Sequence, residues 1–172
     1  KKDGKKVSAI ITEMPTNPLL KTVDIKKLRS LCDEYNIPLV IDTTFATPFN
    51  LNLEEYADIF VESLTKFACG NADVLMGAII LNKRHNLSHM SVEFFKHCEP
   101  VYIQDMQKLA IEIKDYEKRV KEISSNTKLL VEYFKKCSYI KDIYYCLNDE
   151  NKANYSQTMK DDNSLTGIIS VT

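Results

Sequence analysis

The stretch Asp58-Ile59-Phe60-Val61-Glu62-Ser63-Leu64-Thr65-Lys66 decides how the chain is read. A short apolar run ends in two hydroxyls and one amine. Upstream, Leu39-Val40-Ile41-Asp42-Thr43-Thr44-Phe45 has the same plan, an apolar run ending in a carboxylate. Runs of this length and composition predict buried strands over 39–41 and 59–61. Residues 7–12 and 76–81 predict two more. Between the first two strands, Thr22 or Asp24 caps a helix reaching about Tyr35, with Ile25, Leu28, Leu31 and Cys32 on its apolar face. Asn36 closes this helix and Pro38 prevents its continuation. Alternating strands and helices imply an α/β core with a mostly parallel sheet. Ligands of such sheets bind at the carboxyl ends of strands, where Asp42, Ser63, Thr65 and Lys66 fall.

An acid after one buried strand and a lysine after the next are the two groups that pyridoxal phosphate chemistry requires. The amine forms the Schiff base, and the acid keeps the pyridine nitrogen protonated so that the ring acts as an electron sink. Four segments then extend the pattern: Glu13-Met14-Pro15-Thr16-Asn17-Pro18, Val40-Ile41-Asp42-Thr43-Thr44-Phe45-Ala46-Thr47-Pro48, Ser63-Leu64-Thr65-Lys66-Phe67 and Gly70-Asn71-Ala72-Asp73-Val74-Leu75-Met76-Gly77. In this order they resemble the signatures of the Cys/Met-metabolism pyridoxal phosphate enzymes, the cystathionine gamma-synthase-like family. The resemblance is strong over about residues 7–82, and from residue 100 onward it rests on the pattern of elements.

The resemblance implies the large domain of a fold-type I pyridoxal phosphate transferase, plus the start of a small C-terminal α+β domain. It divides the chain into a cofactor-binding part (1–100), a long connecting helix (101–137) and the beginning of a C-terminal domain (138–172). The cofactor implied is pyridoxal 5'-phosphate. Lys66 is the implied catalytic residue and internal aldimine, and Asp42 the partner of the pyridine nitrogen. Ser63 and Thr65 are the implied phosphate contacts, and Asn17 the neighbour of the ring hydroxyl. No metal is expected. Thr43 stands where the family commonly has Asn, and Asn71 where it often has His. In the family, the phosphate-binding turn and ring-stacking tyrosine precede these motifs, and the carboxylate-binding arginine follows them. This chain therefore reads as a fragment carrying the aldimine half of a site, inactive by itself.

Beyond residue 82 the sequence is less specific. Residues 84–100 are polar, and His85 and His89, four apart without a third ligand, read as solvated surface. From 103 to 134 a helical stripe runs through Met106, Leu109, Ile113, Tyr116, Val120, Ile123, Thr127 and Val131. Unbroken, that helix spans about 45–50 Å. Residues 139–145 and 165–171 read as strands, and the polar tract 148–164 between them as a mobile loop.

Bulk properties exclude several classes. At 172 residues, 44% hydrophobic and 27% charged, the chain has the composition of an ordinary globular domain. A net charge of −1 supports neither nucleic-acid nor anionic-membrane binding, and no apolar run approaches bilayer length. Five cysteines without zinc-ligand spacing read as free thiols in a reducing, cytoplasmic compartment, with Cys69 filling space near Lys66. The function implied is transsulfuration by γ-replacement or γ-elimination, on O-acyl-homoserine with cysteine or on cystathionine, in a dimer or tetramer. A cystathionine beta/gamma-lyase, a methionine gamma-lyase and a non-catalytic relative keeping only the scaffold remain open alternatives.

Overall fold

A computed structural model describes residues 6–83, 87–148 and 151–172. Strands β1 (Ile10–Glu13), β2 (Leu39–Asp42), β3 (Ile59–Ser63) and β4 (Gly77–Leu81) form one sheet in the order β1-β2-β3-β4. The first three are parallel, with Ile10 opposite Leu39 and Val40 opposite Ile59. β4 runs antiparallel to β3, with Ser63 opposite Gly77. The expected α/β core with a mostly parallel sheet is therefore present.

Helix α1 (Ile25–Tyr35) crosses from β1 to β2. The Asp24 carboxylate accepts the Lys27 N–H at 3.1 Å, satisfying one of the donors left open at a helix start. Asn36 ends the helix in the left-handed region at φ 49°, a conformation its short polar side chain tolerates. The buried face differs from the one expected. Leu31 is exposed, whereas Arg29 is buried. Arg29 Nη1 lies 2.7 Å from Asp58 Oδ2 and donates to the Tyr56 carbonyl at 3.0 Å. The same Asp58 oxygen accepts the Leu39 N–H at 2.6 Å. One ion pair thus ties α1 to the starts of β2 and β3. Met14, Ile25, Cys32, Leu39 and Ile41 fill the core beside it.

The short helix α2 (Thr47–Asn50) follows β2, and α3 (Ser91–Lys96) follows β4. The long apolar stripe forms two helices, α4 (Ile103–Glu112) and α5 (Tyr116–Phe134), separated by a 3-10 turn at Ile113–Asp115. Leu109 and Tyr116 enter the same buried cluster from either side of this turn, together with Val120, Ala68 and Val74. The stripe is thus broken at Ile113–Asp115 into two helices that share one packing target. No helix among the described residues is long and apolar enough to cross a membrane.

The tract expected to be a mobile loop is largely packed. It contains α6 (Lys152–Ser156), and Tyr155 is fully buried, its hydroxyl donating to the Ser164 carbonyl at 2.9 Å. Asn151 Oδ1 accepts the Thr22 N–H at 3.1 Å, and Asn52 donates to the Thr158 carbonyl at 2.7 Å. Its polar side chains satisfy buried backbone groups, so a polar composition here marks packing between loops. The two final strands shrink to β5 (Ile143–Tyr144) and β6 (Ser170–Val171), which pair antiparallel with each other. Residues 1–5 and His85 lie outside the described residues, and with His85 the pairing of His85 and His89.

Breaking a buried ion pair by removing one partner leaves an uncompensated charge. Asp58→Ala is expected to lower the unfolding free energy by about 1–3 kcal/mol, measured by urea denaturation, because the buried Leu39 N–H loses its acceptor and Arg29 keeps only the exposed Asp33, 2.8 Å from its Nη2, and the Tyr56 carbonyl.

Candidate active site

The register of the parallel strands brings the functional groups to one end of the sheet. Glu13 stands opposite Asp42, and Asp42 opposite Val61. Asp42 is partly buried at the end of β2, and its Oδ1 accepts the Thr44 N–H at 2.8 Å. Its other carboxylate oxygen forms no hydrogen bond among the described residues. The Thr44 hydroxyl accepts the Ser63 N–H at 2.9 Å, tying the ends of β2 and β3 together. Thr65 lies just beyond, its hydroxyl 3.3 Å from the Met76 nitrogen, from which it accepts.

Asp42, Ser63 and Thr65 line one open cleft of about 820 Å³, together with Met76 of the loop before β4 and with Phe94 and His97 in and after α3. Lys66 occupies the turn that follows β3. Its N–H donates to the Ser63 carbonyl at 3.2 Å, and its side chain is exposed rather than part of the cleft wall. Asn17 is also exposed. Its N–H donates to Glu13 Oε2 at 3.0 Å in the loop after β1, outside the cleft lining. The structure thus gathers three of the five expected residues, sets Lys66 beside them and leaves Asn17 on the neighbouring strand end.

The donor set fits pyridoxal phosphate. A carboxylate oxygen with no protein partner among the described residues suits a protonated ring nitrogen. Two hydroxyls one residue apart on either side of Leu64 suit a phosphate. A solvent-accessible amine suits a carbonyl.

Three further residues support the site, none of them given an individual role by the sequence pattern. Arg119, on α5, donates through Nε to the Phe67 carbonyl at 3.0 Å, and through Nη2 to the carbonyls of Ala68 at 2.9 Å and Glu112 at 3.1 Å. It clamps the turn that carries Lys66. Gly70 ends that turn at φ 83°, and a Cβ there would approach Arg119 Nε to 2.6 Å, so both conformation and space require glycine. Tyr116, three residues before Arg119 on the same helix face, donates its hydroxyl to the buried Glu62. Burial pushes the Glu62 carboxyl above its ordinary value, the Tyr116 bond opposes this, and Asp42 adds to it. In the helical stripe Tyr116 counts as one apolar position, whereas its phenol is the part that reaches Glu62.

Cys69 is buried beside Ala68 and Val74, as a space-filling residue would be. Its sulfur also lies 2.9 Å from Glu112 Oε2 and 3.3 Å from Asp73 Oδ1, and Lys108 pairs with the other oxygen of Asp73. Removing the Arg119 clamp orphans three carbonyls. Arg119→Ala is expected to speed amide hydrogen exchange across residues 66–70 and to cost about 1–3 kcal/mol of stability.

Comparison with known proteins identifies the family and the fold. The family described as Cys/Met metabolism PLP-dependent enzyme matches residues 1–172. The chain is 32% identical over 166 residues to the L-2-amino-4-chloropent-4-enoate dechlorinase/desaturase of Streptantibioticus cattleyicolor, covering 96% of this chain and 33% of that protein. It is 30% identical over 179 residues to the cystathionine gamma-synthase of Saccharomyces cerevisiae, covering 98% and 28% respectively. The chain thus spans about a third or less of the length of these relatives. The fold matches a crystal structure of cystathionine gamma-lyase from Lactobacillus plantarum with a TM-score of 0.84 at 24% identity, covering 95% of this chain and 43% of that one. The chain belongs to the Cys/Met-metabolism family of pyridoxal phosphate-dependent enzymes.

Proposed function

We propose that the protein of which this chain forms part is a transsulfuration enzyme of the cystathionine gamma-synthase type. It would act on an amino acid that carries a leaving group or sulfur on its γ-carbon. The observation that carries this reading is the convergence of Asp42, Ser63 and Thr65 on one cleft, with Lys66 in the turn beside it. When bound, pyridoxal phosphate supplies an electron sink for the substrate's α-carbon.

The chain's own residues supply the rest. Lys66 would hold the cofactor through its amine, and the same amine would carry protons between the α- and β-carbons of the substrate. Asp42 holds the ring nitrogen protonated through its unshared oxygen. Ser63 and Thr65 would donate hydroxyls to the phosphate, and Asn17, outside the cleft lining in this structure, would donate to the ring hydroxyl. Residues 1–100 would form the cofactor-holding part, 101–137 the connecting helical segment and 138–172 the start of a C-terminal unit.

Two relatives point to the γ-carbon. One is named a cystathionine gamma-synthase, and the other acts on an amino acid with chlorine on carbon 4, which is the γ-carbon. The second of these names favours elimination as an alternative to replacement, which keeps cystathionine and methionine lyase activities as the second reading. Substrates would be O-acyl-homoserine with cysteine, or cystathionine. The active form would be a homodimer or tetramer. Free, buried thiols such as Cys32, Cys69 and Cys146 suit a cytoplasmic setting.

The full-length protein, assayed with O-acyl-homoserine plus cysteine, cystathionine and methionine, is expected to turn over at least one of them. Failure with every γ-substituted amino acid would remove the enzyme reading. Asp42→Ala is expected to lower kcat by about tenfold or more, equivalent to about 1.4 kcal/mol, because the ring nitrogen loses its anionic partner.

A further inference from the structure

Glu62 precedes Ser63 in β3 and is 7% exposed. Its carboxylate takes one hydrogen bond, from the Tyr116 hydroxyl, and no lysine or arginine is bonded to it among the described residues. Side chains alternate along a strand, so Glu62 points away from its neighbour Val61, which lies in register with Asp42. It therefore sits beneath the sheet end on which Asp42 stands. It lines both the Asp42 cleft and a second cavity of about 480 Å³. Two carboxylates lie on adjacent strands, one of them buried with a single phenol donor. A buried anion is costly unless a cation is near. In the reading proposed above, on which this inference rests, that cation is the protonated ring nitrogen at Asp42.

We propose that Glu62 is a positioning residue for the cofactor: held by Tyr116, its carboxylate places a second negative charge behind Asp42 and favours the cationic form of the bound ring.

The surroundings are consistent with this. The Asp42 charge acts on Glu62 from the adjacent strand β2, from the other face of the sheet. Tyr116 faces it from α5, and the Arg119 charge reaches that phenol; Thr47 on α2 lies near the same hydroxyl. His97, Cys98 and Glu99 lie across the first cleft, and Glu54 and Lys83 border the second cavity. Burial and the Asp42 charge both raise the Glu62 carboxyl. A cation on Asp42 cancels the second effect, so ionisation of Glu62 and cofactor binding favour each other. The sign follows. A negative charge stabilises a nearby cation, so Glu62 raises the pH at which the bound cofactor loses its proton.

The test is a pH titration of the ring-nitrogen NMR shift of nitrogen-15-labelled pyridoxal phosphate bound to the full-length protein, alongside Glu62→Gln and Tyr116→Phe. Glu62→Gln removes the charge and keeps the shape. Tyr116→Phe keeps the acid but removes its donor, which drives Glu62 to its neutral form. Both variants are expected to lower the midpoint by about half a pH unit or more. A thermal midpoint that falls while the titration midpoint stays at the wild-type value in both variants would show a purely structural residue and overturn the inference, leaving the enzyme reading intact. A wild-type protein with no bound-cofactor resonance after loading would overturn both.

Discussion

Asp42 and Val61 face each other across two parallel strands, and this register governs the geometry of the candidate site. It places a carboxylate at the end of β2 level with the last residues of β3, so that Ser63, Thr65 and the Lys66 turn emerge beside it. The pairing is fixed at both ends. At the start, Asp58 binds Arg29 and the Leu39 N–H; at the finish, the Thr44 hydroxyl takes the Ser63 N–H. A one-residue slip would send Glu62 toward the Asp42 face and Ser63 away from it, because the side-chain period of a strand is two.

The helices after the sheet are part of the same support. Tyr116 and Arg119 project from one face of α5. The first reaches Glu62 at the end of β3 and the second caps three carbonyls, two of them in the turn that holds Lys66. The 3-10 turn at Ile113–Asp115 precedes Tyr116 directly, and Leu109 enters the same buried cluster from its other side. A helix segment distant in sequence thereby holds the lysine turn in place, while the lysine side chain remains accessible.

What the sequence made legible was local. Asp24 and Asn36 mark the ends of α1 because capping uses groups within a few residues. Asp42 and Lys66 are recognisable because each ends a short apolar run, and the family motifs around them are contiguous. What stayed hidden depends on distant partners. Arg29 replaces Leu31 on the buried face of α1 because Asp58 lies across the sheet to receive it. The polar tract 148–164 packs because Asn151 and Tyr155 find buried partners near residues 22 and 164. Glu62 and Arg119 read as ordinary charged residues until β3 and α5 are placed side by side.

The central claim is that the Lys66 amine holds the cofactor. Borohydride reduction of the full-length protein loaded with pyridoxal phosphate, followed by peptide mass mapping, tests it most directly. The account predicts one stoichiometric pyridoxyl adduct, on Lys66. No adduct, or adducts spread over surface lysines with none enriched at Lys66, would contradict it.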